Sequence, residues 1–214
     1  KLEWGIEPEE MTWYQERGEH MSHTGASQAA GLSLPKNLTL KHAETDFGSM
    51  YLNAELDASI GLVMVPGSGI DRQRKDLSGH DGFTTLFSDP RAEGIRFFQK
   101  HGVYPPHHVT VVRESILDEH PWLGVSLMEG FRKAKELAIQ RLQERQPTLM
   151  VFGGQYLKEI TEVFGRDPFP YGVNANAKAF EMAQTFALEQ GLSKKKMPWD
   201  EIFPDEVLYA EEKL

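Results

Sequence analysis

Two consecutive prolines, Pro105 and Pro106 within GVYPPHHVTVVR (Gly102 to Arg113), constrain this chain more than any other feature. Proline rings lock φ and push the residue before them out of the helical region, so the chain must arrive here extended. The β-branched run Val109-Thr110-Val111-Val112 predicts a short strand buried on both faces, ended by Arg113. A helical pattern precedes the stretch (Asp89 to Lys100) and a longer one follows it. An irregular entry into a buried strand, flanked by His107, His108 and Arg113, has two readings. It is a crossover between two lobes, of the kind that floors a ligand cleft, or a loop-to-strand junction with two surface histidines.

With 214 residues, 40% hydrophobic and 26% charged, the chain has ordinary globular composition and length for one large or two small domains. Its 32 acidic residues against 23 basic ones leave a formal charge of −9. That argues against nucleic acid as a partner, because neutralising phosphates needs a basic face. No run approaches the ~18–20 apolar residues of a membrane span, and the opening residues carry no secretory-signal pattern. The absence of cysteine excludes disulfides, thiolate metal sites and a cysteine nucleophile. The chain opens on Lys1-Leu2-Glu3-Trp4-Gly5, read as the tail of a helix, so a fragment of a longer protein is expected.

The rest of the chain alternates short strands and helices. A turn over Ile6 to Met11 leads into a strand at Thr12-Trp13-Tyr14. Gln15 to Gly31 is a polar loop in which His20 and His23 read as solvated, with no third ligand at metal spacing. Leu38-Thr39-Leu40 predicts a strand and Ser49 to Leu56 a short helix. Ile60 to Val65 is a continuous apolar run, the pattern of a parallel strand covered on both faces. The following loop, Pro66 to Ser78, holds Gly67, Gly69, Arg72, Arg74 and Lys75 and gives a weak anion-loop signal. Asp89 is a good N-cap with Pro90 at the first helical position. A turn at Ser115 to Glu119 precedes a helix from Pro121 to about Gln146, with Leu123, Leu127, Phe131, Ala134, Ala138 and Leu142 as its apolar stripe. Glu129, Arg132, Lys133 and Glu136 read as its solvated face. Further helices are expected over Gln155 to Val163, Asn174 to Gln190 and Trp199 to Leu208, with a turn at GRDPFPYG between the first two.

Three segments carry a resemblance: Leu86 to Ala138, Asp167 to Leu192 (DPFPYGVNANAKAFEMAQTFALEQGL) and Trp199 to Leu208 (WDEIFPDEVL). They resemble the C-terminal two-thirds of the 4,5-dihydroxyphthalate decarboxylase family, as do EWGIEPEEMTWYQ and YLNAELDASIG further upstream. The loops Glu16 to Lys36 and Gly67 to Gly82 depart from the family pattern. The resemblance implies an α/β fold of the periplasmic-binding-protein-like type II superfamily, two lobes around a substrate-binding cleft. Residues 1–106 would be the remainder of the second, smaller lobe and 107–214 the C-terminal part of the first, with strands preceding residue 1 completing that lobe.

The implied function is cofactor-independent decarboxylation of 4,5-dihydroxyphthalate to protocatechuate in aromatic degradation, by a carboxy-lyase expected in the cytoplasm. Each carboxylate of that substrate has a hydroxyl para to it, and a deprotonating phenol pushes electron density onto the ipso carbon. A general acid then protonates that carbon as carbon dioxide leaves. His108 matches the histidine of the family's motif before the strand, and imidazole suits proton transfer near neutral pH. His107 is the weaker candidate, since its position is not a histidine in that pattern. Arg91 and Arg113 are candidate carboxylate clamps, or else helix-end and strand-end salt bridges. Tyr171 hydrogen-bonds a hydroxyl or packs the turn. No metal is expected, because adjacent histidines on a strand point to opposite faces. The alternative function is a solute-binding protein of an ABC-type uptake transporter for a small aromatic or anionic ligand, periplasmic if a preceding segment carries a signal peptide.

Overall fold

The computed structural model describes residues 2–15, 39–59, 77 and 79–211, except for the side chains of 39, 40, 146–148 and 211. The chain divides into two compact units, Lys1–Ser88 with Glu189–Lys194 and Asp89–Leu188 with Lys195–Leu214.

In the first unit, Gly5 takes a left-handed φ of 70° at the end of a turn, and a 3-10 turn follows at Pro8–Glu10. Strand β1 (Thr12–Gln15) pairs in parallel with β2 (Thr39–His42), Trp13 opposite Leu40 and Gln15 opposite His42. Parallel pairing needs a long crossover, which fits the separation of these strands in sequence. The Trp13 indole N–H donates to the Pro8 carbonyl at 3.0 Å and ties the turn to β1. Helix α1 (Phe47–Leu52) starts where Asp46 accepts from the Ser49 amide at 3.0 Å and from its hydroxyl at 2.7 Å. It ends in a left-handed residue, Ala54 (φ 57°), where glycine is the usual choice. The Glu55 and Ala54 amides close that end on the Met50 and Tyr51 carbonyls. Ala43, Met50 and Leu77 are the buried apolar residues described in this unit.

The second unit is helical. Asp89 accepts from the Ala92 amide at 2.9 Å to cap α2 (Pro90–His101), with Pro90 in the first turn and left-handed Gly102 at the end. A short α3 (Glu114–Glu119) leads to α4 (Leu123–Leu149), α5 (Gly153–Phe164), α6 (Ala177–Glu189) and α7 (Asp205–Glu211). Helix α2 packs on α5 through Phe98 and Phe164, whose rings lie 4.6 Å apart. Tyr104 sets its edge against Phe164 at 5.8 Å and against Phe169 at 5.1 Å. This aromatic cluster joins the end of α2, the end of α5 and the turn after it, burying apolar area in favoured edge-to-face geometry. Helix α4 also packs on α7, with Val207 3.0 Å from where a Cβ would stand at Gly124. Phe180, Trp199 and Phe203 form a second aromatic cluster.

Among the described residues, helices with one short parallel strand pair make a mixed helix and few-strand arrangement, consistent with an α/β fold. Among the described residues no helix is long and apolar enough to cross a membrane. The compact units part at Ser88/Asp89, because α2 lies against α5. The lobe division expected at residues 106–107 belongs to the longer two-lobed architecture that the resemblance implies. The expected strand at Ile60 to Val65, the loop Pro66 to Ser78 apart from Leu77, and His20 and His23 lie outside the described residues.

Several local expectations are corrected. Val109 to Val112 is irregular and pairs with no strand among the described residues, leaving Val109 63% and Val111 86% exposed. Ser115 to Glu119 is helical rather than a turn. The last expected helix is split, with a 3-10 turn at Trp199–Glu201 ahead of Pro204. On α4 the half-buried positions include Val125, Met128, Arg132, Lys135 and Ile139, a three-four spacing. The expected apolar stripe ends exposed at Phe131, Ala134, Ala138 and Leu142. The helix turns a partly charged face inward because the chain after α5 folds over it.

Candidate functional site

His107 and His108 stand exposed on the irregular stretch between Val103 and α3. Without a strand to alternate them, their rings meet edge to face with centroids 4.1 Å apart and the two Nδ1 atoms at 3.1 Å. The premise that adjacent histidines diverge is therefore corrected: backbone without strand pairing leaves the side chains free to turn toward each other. A hydrogen bond at this distance needs one Nδ1 to carry a proton and the other to offer a lone pair. Among the described residues no group of three or more histidines and carboxylates gathers where a metal could be held.

Arg91 lies in the first turn of α2 and is already engaged. Its guanidinium pairs with the Glu159 carboxylate and lies 5.6 Å from the Tyr156 ring centroid, both on α5. Arg113 caps α3 through its carbonyl, which accepts from the Ile116 amide at 3.0 Å. Its side chain is exposed and has no partner among the described residues. Neither arginine lines the cavity described next, and neither histidine does.

That cavity, about 1050 Å³, opens where the turn after α5 covers one face of α4. Lys135 fastens the turn. Its side chain is only 15% exposed, and its ammonium donates to the Asp167 carboxylate and to the Phe169 carbonyl at 2.8 Å and lies 4.2 Å from the Tyr171 ring centroid. Asn176 finishes the turn by donating to the Pro170 and Gly172 carbonyls, each at 2.8 Å, beside buried Val173. Tyr171 of the candidate residues therefore lines the cavity, half-exposed, with its ring beneath a cation.

The lining includes three cations, Arg132, Lys135 and Arg166, and two carboxylates, Glu136 and Asp167, a net positive site in a chain of charge −9. Arg132 gives one end to Glu136 at 2.8 Å, while its Nε is shielded from solvent and has no acceptor among the described residues. A shielded N–H without an acceptor is uncommon, because desolvation is left uncompensated. Arg166 is exposed and unpaired among the described residues. Arg132, Lys135 and Arg166 were not singled out from sequence. Helical spacing put Arg132 on a solvated face, and only the DPFPYG turn, with its paired prolines and aromatics, signalled that something folds back there.

No family model matches the chain. Residues of this chain are 26% identical over 205 positions to the 4,5-dihydroxyphthalate decarboxylase of Comamonas testosteroni, a match covering 94% of this chain and 59% of that protein. The chain thus spans less than two thirds of the relative's length.

Proposed function

We propose that the chain is part of a cofactor-independent decarboxylase acting on a dihydroxylated aromatic dicarboxylate, with 4,5-dihydroxyphthalate as the substrate and protocatechuate as the product. The observation that carries this reading is the similarity to a named decarboxylase along 94% of the chain. The proposal includes the two-lobed, periplasmic-binding-protein-like type II architecture, with lobes divided near residues 106–107, and a cytoplasmic setting.

In this reading the phenolic proton leaves to a base, and the phenolate pushes its electron pair toward the ipso carbon. A proton adds there, the bond to the carboxylate breaks, and its electrons restore the aromatic ring as carbon dioxide departs. His108 is the proposed proton donor. As the imidazolium it donates its Nδ1–H to the Nδ1 lone pair of His107 and delivers the proton on Nε2, ending as neutral imidazole. His107 then holds the tautomer. Arg113 offers an unengaged guanidinium to a carboxylate, whereas Arg91 serves only by exchanging Glu159 for the ligand. Tyr171 would present its hydroxyl to a ring substituent.

The full gene product incubated with 4,5-dihydroxyphthalate should release carbon dioxide and form protocatechuate. His108→Ala should lower turnover ~10²-fold or more while leaving affinity largely intact. Equal losses of rate and affinity would make His108 a ligand contact instead.

One observation favours a second reading, a binding-only solute receptor. The cavity at α4 gathers arginines and no imidazole, a clamp without an acid. Tight binding of an aromatic acid with no turnover across hydroxylated analogues would decide for it.

A further inference from the structure

We propose that His107 and His108 form a chelating pair for a divalent transition ion such as Zn2+, Ni2+ or Cu2+, bound through their two Nδ1 atoms. The site goes beyond the decarboxylase reading and needs neither substrate nor turnover.

Its basis is a distance. The two Nδ1 atoms stand 3.1 Å apart. An ion at the usual ~2.0–2.1 Å from each imidazole nitrogen would see that pair at about 100°, between the octahedral and tetrahedral angles. The ring planes stand 85° apart, so their edges stay clear of each other, as two ligands on one ion require. Strand alternation would turn the rings to opposite faces. This stretch is irregular and both side chains are exposed, so small ring rotations suffice to aim both lone pairs at one point. The hydrogen bond between the rings uses the same edge, and the metal replaces it. The ring with its proton on Nδ1 moves that proton to Nε2, and both Nδ1 lone pairs then face the ion. No net proton leaves the neutral pair.

The donors select the ion. Neutral imidazole suits Zn2+, Ni2+ and Cu2+, whereas Mg2+ and Ca2+ take oxygen ligands. Among the described residues no group of three or more histidines and carboxylates could hold a metal, so the pair binds alone and leaves the remaining positions to water. A chain of charge −9 favours a cation. Under the proposed chemistry, bound metal and proton donation exclude each other at His108, because an ion on Nδ1 keeps the ring from the imidazolium state. The pair is then a place where metal silences the acid.

Calorimetric titration of the full chain with Zn2+ should give a saturable site that excess Mg2+ does not displace. His107→Ala and His108→Ala should each weaken it by about tenfold or more. Both positions are exposed, so neither change removes packing. His120→Ala, at a half-exposed histidine beside Trp122, should leave the site unchanged, as should the double variant His20→Ala with His23→Ala. Electron paramagnetic resonance of the Cu2+-loaded chain should show two coupled nitrogens, falling to one in either single variant. Absence of a saturable Zn2+ site, displacement by Mg2+, undiminished affinity in either single variant, or loss in the His20 and His23 double variant would each overturn the chelate. Carbon dioxide release from 4,5-dihydroxyphthalate tests the decarboxylase reading separately: its failure leaves Zn2+ binding untouched, and failure of Zn2+ binding leaves that reading standing.

Discussion

The stretch from Val103 to Arg113 and the turn from Gly165 to Asn176 follow different helices of one compact unit, and each reverses what its side chains suggest. Val109 and Val111 are β-branched and apolar yet stand 63% and 86% exposed. Lys135 is a lysine on a helix, yet its side chain is 15% exposed beneath the second stretch. The difference lies in what each segment finds to pair with. The Phe169 turn meets a ready surface: Tyr104 on one side and Lys135 on the other. The valine run has no neighbouring strand among the described residues, and a strand-forming sequence exposes its backbone and side chains until one is supplied. Burial is a property of the pair rather than of the residue.

Substitutions can break this contrast or sharpen it. The largest expected effect is Phe164→Ala. It removes the ring shared by α2, Tyr104 and the end of α5, and should cost about 3 kcal/mol in urea unfolding. An unchanged midpoint would mean the aromatic cluster does not hold the turn. Lys135→Met keeps the stem but removes the ammonium that Asp167, Phe169 and Tyr171 share. A loss of about 2 kcal/mol is expected, with Asp167 left partly buried and unpaired. Equal stability of Lys135→Met and the parent would show that the cation only decorates the turn. Val111→Ser should change stability by less than about 0.5 kcal/mol, as surface positions do. A loss beyond ~1 kcal/mol would return Val111 to a buried strand and erase the contrast.

Much of the local structure was legible because its causes are local. Asp89 with Pro90 announces the start of α2, and Gly102 its end, through a capping oxygen, a preset φ and a left-handed turn. The strands at Thr12 and Thr39 follow from β-branched and aromatic residues between turns. The histidine pair was legible as composition but not as geometry. Its Nδ1 contact at 3.1 Å arises because the segment after the two prolines forms no strand, which no spacing rule reports. Arg91 was legible as a helix-start arginine, and its pairing with Glu159 is one of the two outcomes its position allowed.

By itself the sequence determined where α2 begins and ends and that no thiolate chemistry is available, since a capping aspartate, a proline, a glycine and the residue inventory act within a few positions. Which face of α4 turns inward was decided only in three dimensions. The stripe of Phe131, Ala134, Ala138 and Leu142 is the more apolar, yet the unit covers Met128, Arg132, Lys135 and Ile139 instead. The reason is physical: a turn some 30 residues downstream brings a carboxylate, a carbonyl and an aromatic face to Lys135, and together they compensate its desolvation.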